Sequence, residues 1–469
     1  MANPVSPQRS DEQLIEDALA IWQAGVDAVR ADRLVREAVR VDGQDFWIAD
    51  SHFDLRRIGR ILVVGAGKAG AGMAEGLEQA LGDALLQQKQ VRGWVNVPED
   101  CVRRLQTIRL HAARPAGLNE PTEAGVEGTA RILEMVSQLA ADDLCIVLLS
   151  GGGSALLPAP VEGISLADKQ AVTRFLSSAG ANIEQLNTVR KQLSRIKGGG
   201  LARACRSSQL VTLVISDVLG DPLDIIASGP TVLEDSSTPE RARAILEQFH
   251  AEGAVPDSVF SVLDRERDRA TKGGSIRPAK TPHVVHHILG NNAVAVDGAG
   301  VEAVARGYSH AMIAARQLEP DAEKIGVELA DQALRLRFEA GPDCLVSGGE
   351  PTVKLVPGHL RGRGGRNQQL VLAALQRLLA ANRAEPGHEL DGIVFLSGGT
   401  DGEDGPTDAA GAYIDSFALA RLRECGLDPE SFLTRNDAYH FFQPLHRLLL
   451  TGPTHTNVGD LRVIVVRKR

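Results

Sequence analysis

The sequence has no closely spaced pair of cysteines: Cys101, Cys145, Cys205, Cys344 and Cys425 stand far apart along the chain, with no C-x-x-C among them. That spacing suggests neither a zinc site nor a disulfide framework and reads as reduced thiols in a cytoplasmic protein. No apolar run reaches the roughly 18 residues of a membrane span. The opening MANPVSPQRSDEQLIEDALAIWQAGVDAVR has no apolar core flanked by a cleavage site, so no secretory signal is expected. Positive charge is in deficit, 51 Lys and Arg against 60 Asp and Glu. The net charge of −9 argues against a general nucleic-acid binder, while a local basic loop can still attract a small anion. Tyrosine and tryptophan are scarce, 3 of each, whereas 48 glycines point to many tight strand-to-helix turns.

A chain of 469 residues exceeds what one hydrophobic core usually organises, so two domains are expected. Leu14, Ile15, Ala18, Ile21, Trp22 and Val26 recur at helical spacing, which predicts an amphipathic helix over residues 11–30. Beyond it, short apolar runs alternate with helix-like segments: RILVVG, GWVNV, LCIVLLSGGG, LVTLVISDV, VVHHILG, CLVSGGE, GIVFLSGG and LRVIVV. Near-continuous apolarity is the pattern of parallel strands covered on both faces, and the fold class is α/β. RERDRATKGGSIRPAK, residues 265–280, is polar and reads as a linker. It is a candidate boundary between two α/β units, a first over 1–260 and a second from 261 onward.

Three apolar runs end in Ser-Gly-Gly turns, at 148–153, 346–350 and 396–400. In parallel sheets ligands bind at the carboxyl ends of strands, and glycine there lets backbone N–H groups approach an anion. Gly151, Gly152, Gly153 and Ser154 are therefore candidates for phosphate or substrate oxygens. ILVVGAGKAGAGMAEGL matches G-x-G-x-x-G at Gly65, Gly67 and Gly70, but Lys68 interrupts it. Dinucleotide loops place neutral residues there and expect an acid roughly 20 positions on; Glu99 and Asp100 fall later. Lys68 instead offers a mobile point charge to a phosphate or carboxylate, with a solvated turn lysine as the plain alternative. No G-x-x-x-x-G-K-[ST] occurs, so a kinase here needs another cradle.

LNTVRKQLSRIKGGGLA places Arg190 and Lys197 seven residues apart, on one face if the segment stays helical. Asp217 closes an apolar run, where a magnesium ligand or a general base would stand, with Asp221 and Asp224 readable as caps or turns. VPGHLRGRGGRNQQL sets Arg361, Arg363 and Arg366 among glycines ahead of a helix, a composition suited to clamping phosphates, with Gly365 and Asn367 beside Arg366. Asp401, Glu403, Asp404 and Asp408 follow another strand without EF-hand spacing; one or two of them suit Mg²⁺ or proton abstraction.

In this order the segments GAGKAG, LLSGGGSALLPAP, LNTVRKQLSRIKGGGLA, ISDVLGDPLDIIASGPT, GRGGRNQQ, GGTDGEDGPTDAAGA and TGPTHTNVGDL resemble the class II glycerate kinases, the glycerate 2-kinase family whose C-terminal half is the MOFRL domain. The resemblance implies phosphorylation of D-glycerate at its 2-hydroxyl by ATP with a divalent cation, Mg²⁺, giving 2-phosphoglycerate and ADP. It implies a Rossmann-like N-terminal domain and a smaller C-terminal domain, both with largely parallel sheets, and an active site in the cleft between them. Residues 437–469 are implied to rejoin the first domain, leaving 261–436 as the second, and a homodimer is compatible. Lys68 and Arg366 match active-site residues. Arg190 is read as the holder of the glycerate carboxylate, and Asp217 or Asp401 as base or metal ligand. Some members are labelled hydroxypyruvate reductases, and an NAD(P)-dependent reductase is the alternative reading of the glycine loop. Three positions depart from the family pattern: His455 where Gly is commoner, Gly459 where Asn is, and Gln369 where Glu is.

Overall fold

The computed structural model describes residues 9–118, 120–234, 236–271, 281–315, 319–384 and 390–469. The chain divides into two compact units: one runs from Ala31 to Leu289, the other joins the chain up to Arg30 to everything from Gly290 onward.

The Ala31–Leu289 unit opens with a small antiparallel sheet of β1 (Val39–Asp42), β2 (Asp45–Ile48) and β3 (Ser51–Asp54), strands too short to register in the sequence pattern. Its main sheet contains β4 (Ile61–Ala66), β5 (Arg92–Pro98), β6 (Ile108–Arg114), β7 (Leu144–Ser150), β8 (Gln209–Ile215) and β9 (His283–Gly290), in the order β6-β5-β4-β7-β8-β9. The pairings from β6 through β8 are parallel. Numbered from β4, this is the 3-2-1-4-5-6 order of the doubly wound dinucleotide fold, whose ligand crevice opens where strand order reverses. That point falls between β4 and β7. Every residue of β4 and β7 is buried, which is why both read as unbroken apolar runs. Close strand approach demands glycine here: a Cβ at Gly65 would stand 2.1 Å from the Leu148 carbonyl oxygen. Gly65→Ala is expected to lower the unfolding free energy by about 2–3 kcal/mol in urea titration.

The other unit has a mixed sheet rather than the largely parallel one expected. Its strands are β10 (His310–Ile313), β11 (Cys344–Gly349), β12 (Ile393–Gly399), β13 (Gly411–Ile414), β14 (Leu448–Leu449) and β15 (Asp460–Val466), in the order β10-β11-β15-β12-β13-β14. Only β10 with β11 is parallel; β15 runs antiparallel between β11 and β12. Its residues alternate between two cores, Ile464 and Val466 on one face, Leu461, Val463 and Val465 on the other. Burial on both faces, not strand direction, makes LRVIVV apolar at every position but Arg462, which is itself buried and pairs with Glu319 at 2.6 Å.

This placement also corrects the expectation that residues 437–469 join the first domain: β15 is an inner strand of the second sheet. The helix Asp11–Ala28 likewise belongs to this unit rather than to a 1–260 domain. Leu14, Ala18, Ile21, Trp22 and Val26 pack into the same core as Val463 and Val465, and the Trp22 indole N–H donates to the Leu461 carbonyl at 3.1 Å. Residues 265–271, read as linker, are instead the end of the helix Asp257–Thr271; 272–280 lie outside the described residues. The charges that suggested a linker form helical pairs, Arg267 with Asp264 at 3.2 Å and Arg269 with Glu266 at 2.9 Å. Among the described residues no helix is long and apolar enough to cross a membrane.

Candidate active site

In the Ala31–Leu289 unit the turn after β4 is pinned by its own backbone. The N–H of Gly67 donates to the Asn96 carbonyl, that of Lys68 to the Gly151 carbonyl at 2.9 Å, that of Ala69 to Ser150 Oγ at 3.0 Å, and that of Gly70 back to the Gly67 carbonyl. Gly67 has φ +148°, and a Cβ there would meet Ser150 Oγ at 1.9 Å. The amides expected to cradle a phosphate are thus engaged within the protein, and what the loop presents is the Lys68 side chain. It runs along Gly152, which has φ +76°, so that a Cβ at Gly152 would lie 3.4 Å from Lys68 Cγ.

Gly151, Gly152, Gly153 and Ser154 follow β7, and Ser150 pairs with Ile215 of β8, so this turn and Asp217, two residues past β8, lie at the carboxyl ends of two neighbouring parallel strands. The segment 186–202 is not one helix: it stops at Gln192, and Lys197 lies in the turn beyond. Arg190 and Lys197 nevertheless line one cavity of about 310 Å³, together with Gly152, Ser154 and Lys169. Lys197 Nζ donates to Ser154 Oγ at 2.8 Å and Ser228 Oγ at 3.2 Å; Ser228 in turn donates to Asn187 Oδ1 at 3.1 Å. Ala227 and Ser228 sit at φ +50° and +62°, a conformation costly for side-chain-bearing residues and one often kept at functional sites. Lys169 and Ser228 lack any sequence spacing that marks them. Their signal was burial, which only folding reveals.

In the other unit the register sets Gly349, Asp460 and Gly399 side by side, bringing the ends of β11 and β12 to the start of β15. The helix Arg366–Ala384 begins there, capped across the chain by Asp404, whose carboxylate accepts from the N–H groups of Asn367 at 2.9 Å and Gln368 at 2.8 Å. Arg366 grips Asp460 through Nε at 2.8 Å and Nη2 at 3.0 Å, and reaches Glu350 through Nη1 at 2.8 Å. Burial opposes the guanidinium charge, and Asp460 and Glu350 more than offset it, holding Arg366 firmly protonated. Burial raises Glu350 above the usual carboxylate range and pushes Asp404 up to about 7.

Asn367, expected to touch phosphate, is 1% exposed. It is spent inside the protein: its Nδ2 donates to Asp460 at 2.9 Å and its Oδ1 accepts from Ser397 at 2.5 Å. Gly365 packs against Asp404, where a Cβ would come within 2.3 Å. Arg361 and Arg363 are exposed, Arg361 on the Val356 carbonyl and Arg363 over the Tyr439 ring. Asp401 is half-buried just past β12, with Oδ1 accepting from the Glu403 N–H at 3.1 Å.

The departures from the family pattern have local reasons. His455 and Gly459 sit at φ +58° and +86°, a region open to glycine and more tolerant of asparagine and histidine than of most residues, so the exchanges conserve backbone shape. Gln369 Nε2 donates to Glu323 at 2.9 Å, where a glutamate would oppose a second carboxylate.

Among the described residues no group of three or more His, Cys, Asp or Glu could hold a metal alone. Mg²⁺ in phosphoryl-transfer sites commonly takes one or two carboxylates and fills its other positions with phosphate oxygens and water, and Asp401 and Asp217 are donors of that type.

A Rossmann-order unit with a lysine-bearing turn and a second α/β unit centred on an Arg–Asp pair define the class. Residues 17–264 match a domain of unknown function, DUF4147, and residues 343–460 match the MOFRL family. A D-glycerate 2-kinase of Thermotoga maritima is 36% identical over 96% of this chain and 98% of its own. A protein of Agrobacterium vitis that bears a hydroxypyruvate reductase name is 40% identical over 87% of this chain and 100% of its own. The crystal structure of a glycerate kinase from Thermotoga maritima matches with a TM-score of 0.77 and 34% identity, covering 97% of this chain and 100% of that one. The chain belongs to the class II glycerate kinase family.

Proposed function

We propose that the chain is an ATP-dependent glycerate 2-kinase: the 2-hydroxyl oxygen of D-glycerate attacks the γ-phosphorus of ATP, its bond to phosphorus forms as the bridging bond to ADP breaks, and 2-phosphoglycerate leaves. The observation that carries this reading is the β4 turn, with its amides engaged and a lysine presented instead. That arrangement also counts against the reductase, because a dinucleotide pyrophosphate is held by such amides.

Phosphoryl transfer needs charge neutralisation and positioning more than covalent chemistry. Lys68 and Arg366 are assigned to the transferring phosphoryl group, Arg190 to the glycerate carboxylate, and the Gly151–Ser154 turn to substrate oxygens. Asp217, at the strand end beside that turn, is assigned to accept the hydroxyl proton. Asp401 is assigned to a Mg²⁺ ion, which when bound neutralises phosphate charge.

An ADP-release assay with D-glycerate and ATP, followed by phosphorus NMR of the product, tests the reading. ADP formation dependent on D-glycerate, with the new phosphate on the 2-oxygen, is expected. NADH oxidation with hydroxypyruvate in the absence of ATP would replace it with the reductase.

A further inference from the structure

The cavity beside the Gly151–Ser154 turn concentrates positive charge. Lys169 and Lys197 are 7% and 3% exposed, and Arg190 lines the same cavity. Their own partners are neutral: Lys169 Nζ donates to the Leu193 carbonyl at 2.9 Å, Lys197 to the two serines, and Arg190 to Asn187 Oδ1 at 3.5 Å. The acids nearby face other cations, Glu120 lying 3.6 Å from Arg174 at the cavity and Asp224 lying 3.7 Å from Lys191. Lys169, on the helix Leu166–Ser178, therefore faces Arg190 from the helix Ile183–Gln192 and Lys197 from the turn after it. Like charges in a buried space resist protonation until an anion joins them.

We propose that Lys169, Arg190 and Lys197 together form the pocket for the acid's carboxylate, and that the anion enters with a proton, which Lys169 takes up. This rests on the glycerate kinase reading and adds Lys169 as a substrate-binding residue whose charge is set by the ligand. Burial, with Arg190 as the second cause, pulls Lys169 down to about 7, and burial, then Arg190 and Lys169, pull Lys197 well below its ordinary value. A bound carboxylate supplies the opposite charge and raises Lys169 again. Below pH 7 the ammonium is already formed and the pocket binds at full strength. Above it each unit of pH weakens binding by up to about tenfold, until the ligand-bound value is passed. The glycerate carboxylate ionises near pH 3.5, so its own charge is constant throughout.

The test is the KM for D-glycerate at saturating ATP from pH 6.5 to 9, in the parent protein, K169R and K169M. The parent KM should rise about tenfold or more between pH 7 and 9. K169R, charged throughout, should give a flat profile, and K169M a raised and flat one, with kcat changing less than KM. A flat parent profile, a K169R profile that rises like the parent's, or a K169M with the parental KM would overturn the proposal. K169R retains donors for the Leu193 carbonyl and decides the matter if K169M does not fold. No ADP formation from D-glycerate at any pH would instead defeat the kinase reading.

Discussion

Arg366→Ala is expected to lower kcat about a thousandfold and to weaken the fold in the same stroke. The catalytic loss is the size found when a charge stabilising a transferring phosphoryl group is removed. The structural loss follows from Asp460, whose side chain is 0% exposed. Without the guanidinium fork it is left with the Asn367 amide, and an orphaned buried carboxylate costs about 3 kcal/mol or more. The two losses separate in a double variant. Arg366→Ala with Asp460→Asn removes the buried charge and should recover most of the stability in urea titration, while turnover stays down. If activity returned with stability, Arg366 would be a structural residue and its assignment to the phosphoryl group would fall. Arg366→Lys should fall between, because an ammonium cannot occupy both Asp460 oxygens with a rigid fork.

The second large effect is at Lys68. Lys68→Ala should reduce kcat by about a hundredfold to a thousandfold, the usual result of deleting one charged donor aimed at developing negative charge. Here stability should barely move. The turn is held by backbone N–H groups and by the close fit of Gly65 and Gly67, none of which needs the lysine side chain. Steady-state assays at saturating ATP and D-glycerate, beside an unfolding curve within about 0.5 kcal/mol of the parent's, would give this result. A Lys68→Ala protein with near-parental turnover would remove the lysine from the mechanism.

The strands and the lysine-bearing turn were legible because their causes are local. ILVVGAG and LCIVLLSGGG end in glycines where the chain must turn tightly and where neighbouring strands approach within a side chain's width. Asn367 shows the limit. GGRNQQ placed it beside Arg366, but its amide is used between Asp460, Asp404 and Ser397, partners that are distant in sequence. Lys169 shows the converse. It sits in an ordinary helical segment, LADKQAVTRFLSS, and acquires its character from burial and from the approach of Arg190.

The sequence by itself determined the α/β class, eight of the strands, the family resemblance and the residues that carry charge, because periodicity and motif chemistry depend on near neighbours. Tertiary structure alone decided that β15 is an inner antiparallel strand of the second sheet, that the first helix covers that sheet, and that Arg366 is clamped by Asp460. It also decided that Lys169, Arg190 and Lys197 share one cavity. An apolar run records that both its faces will be buried, and a charged residue records that it will need a partner. Neither records which distant segment supplies the cover or the charge, since that choice is made only when the sheets assemble.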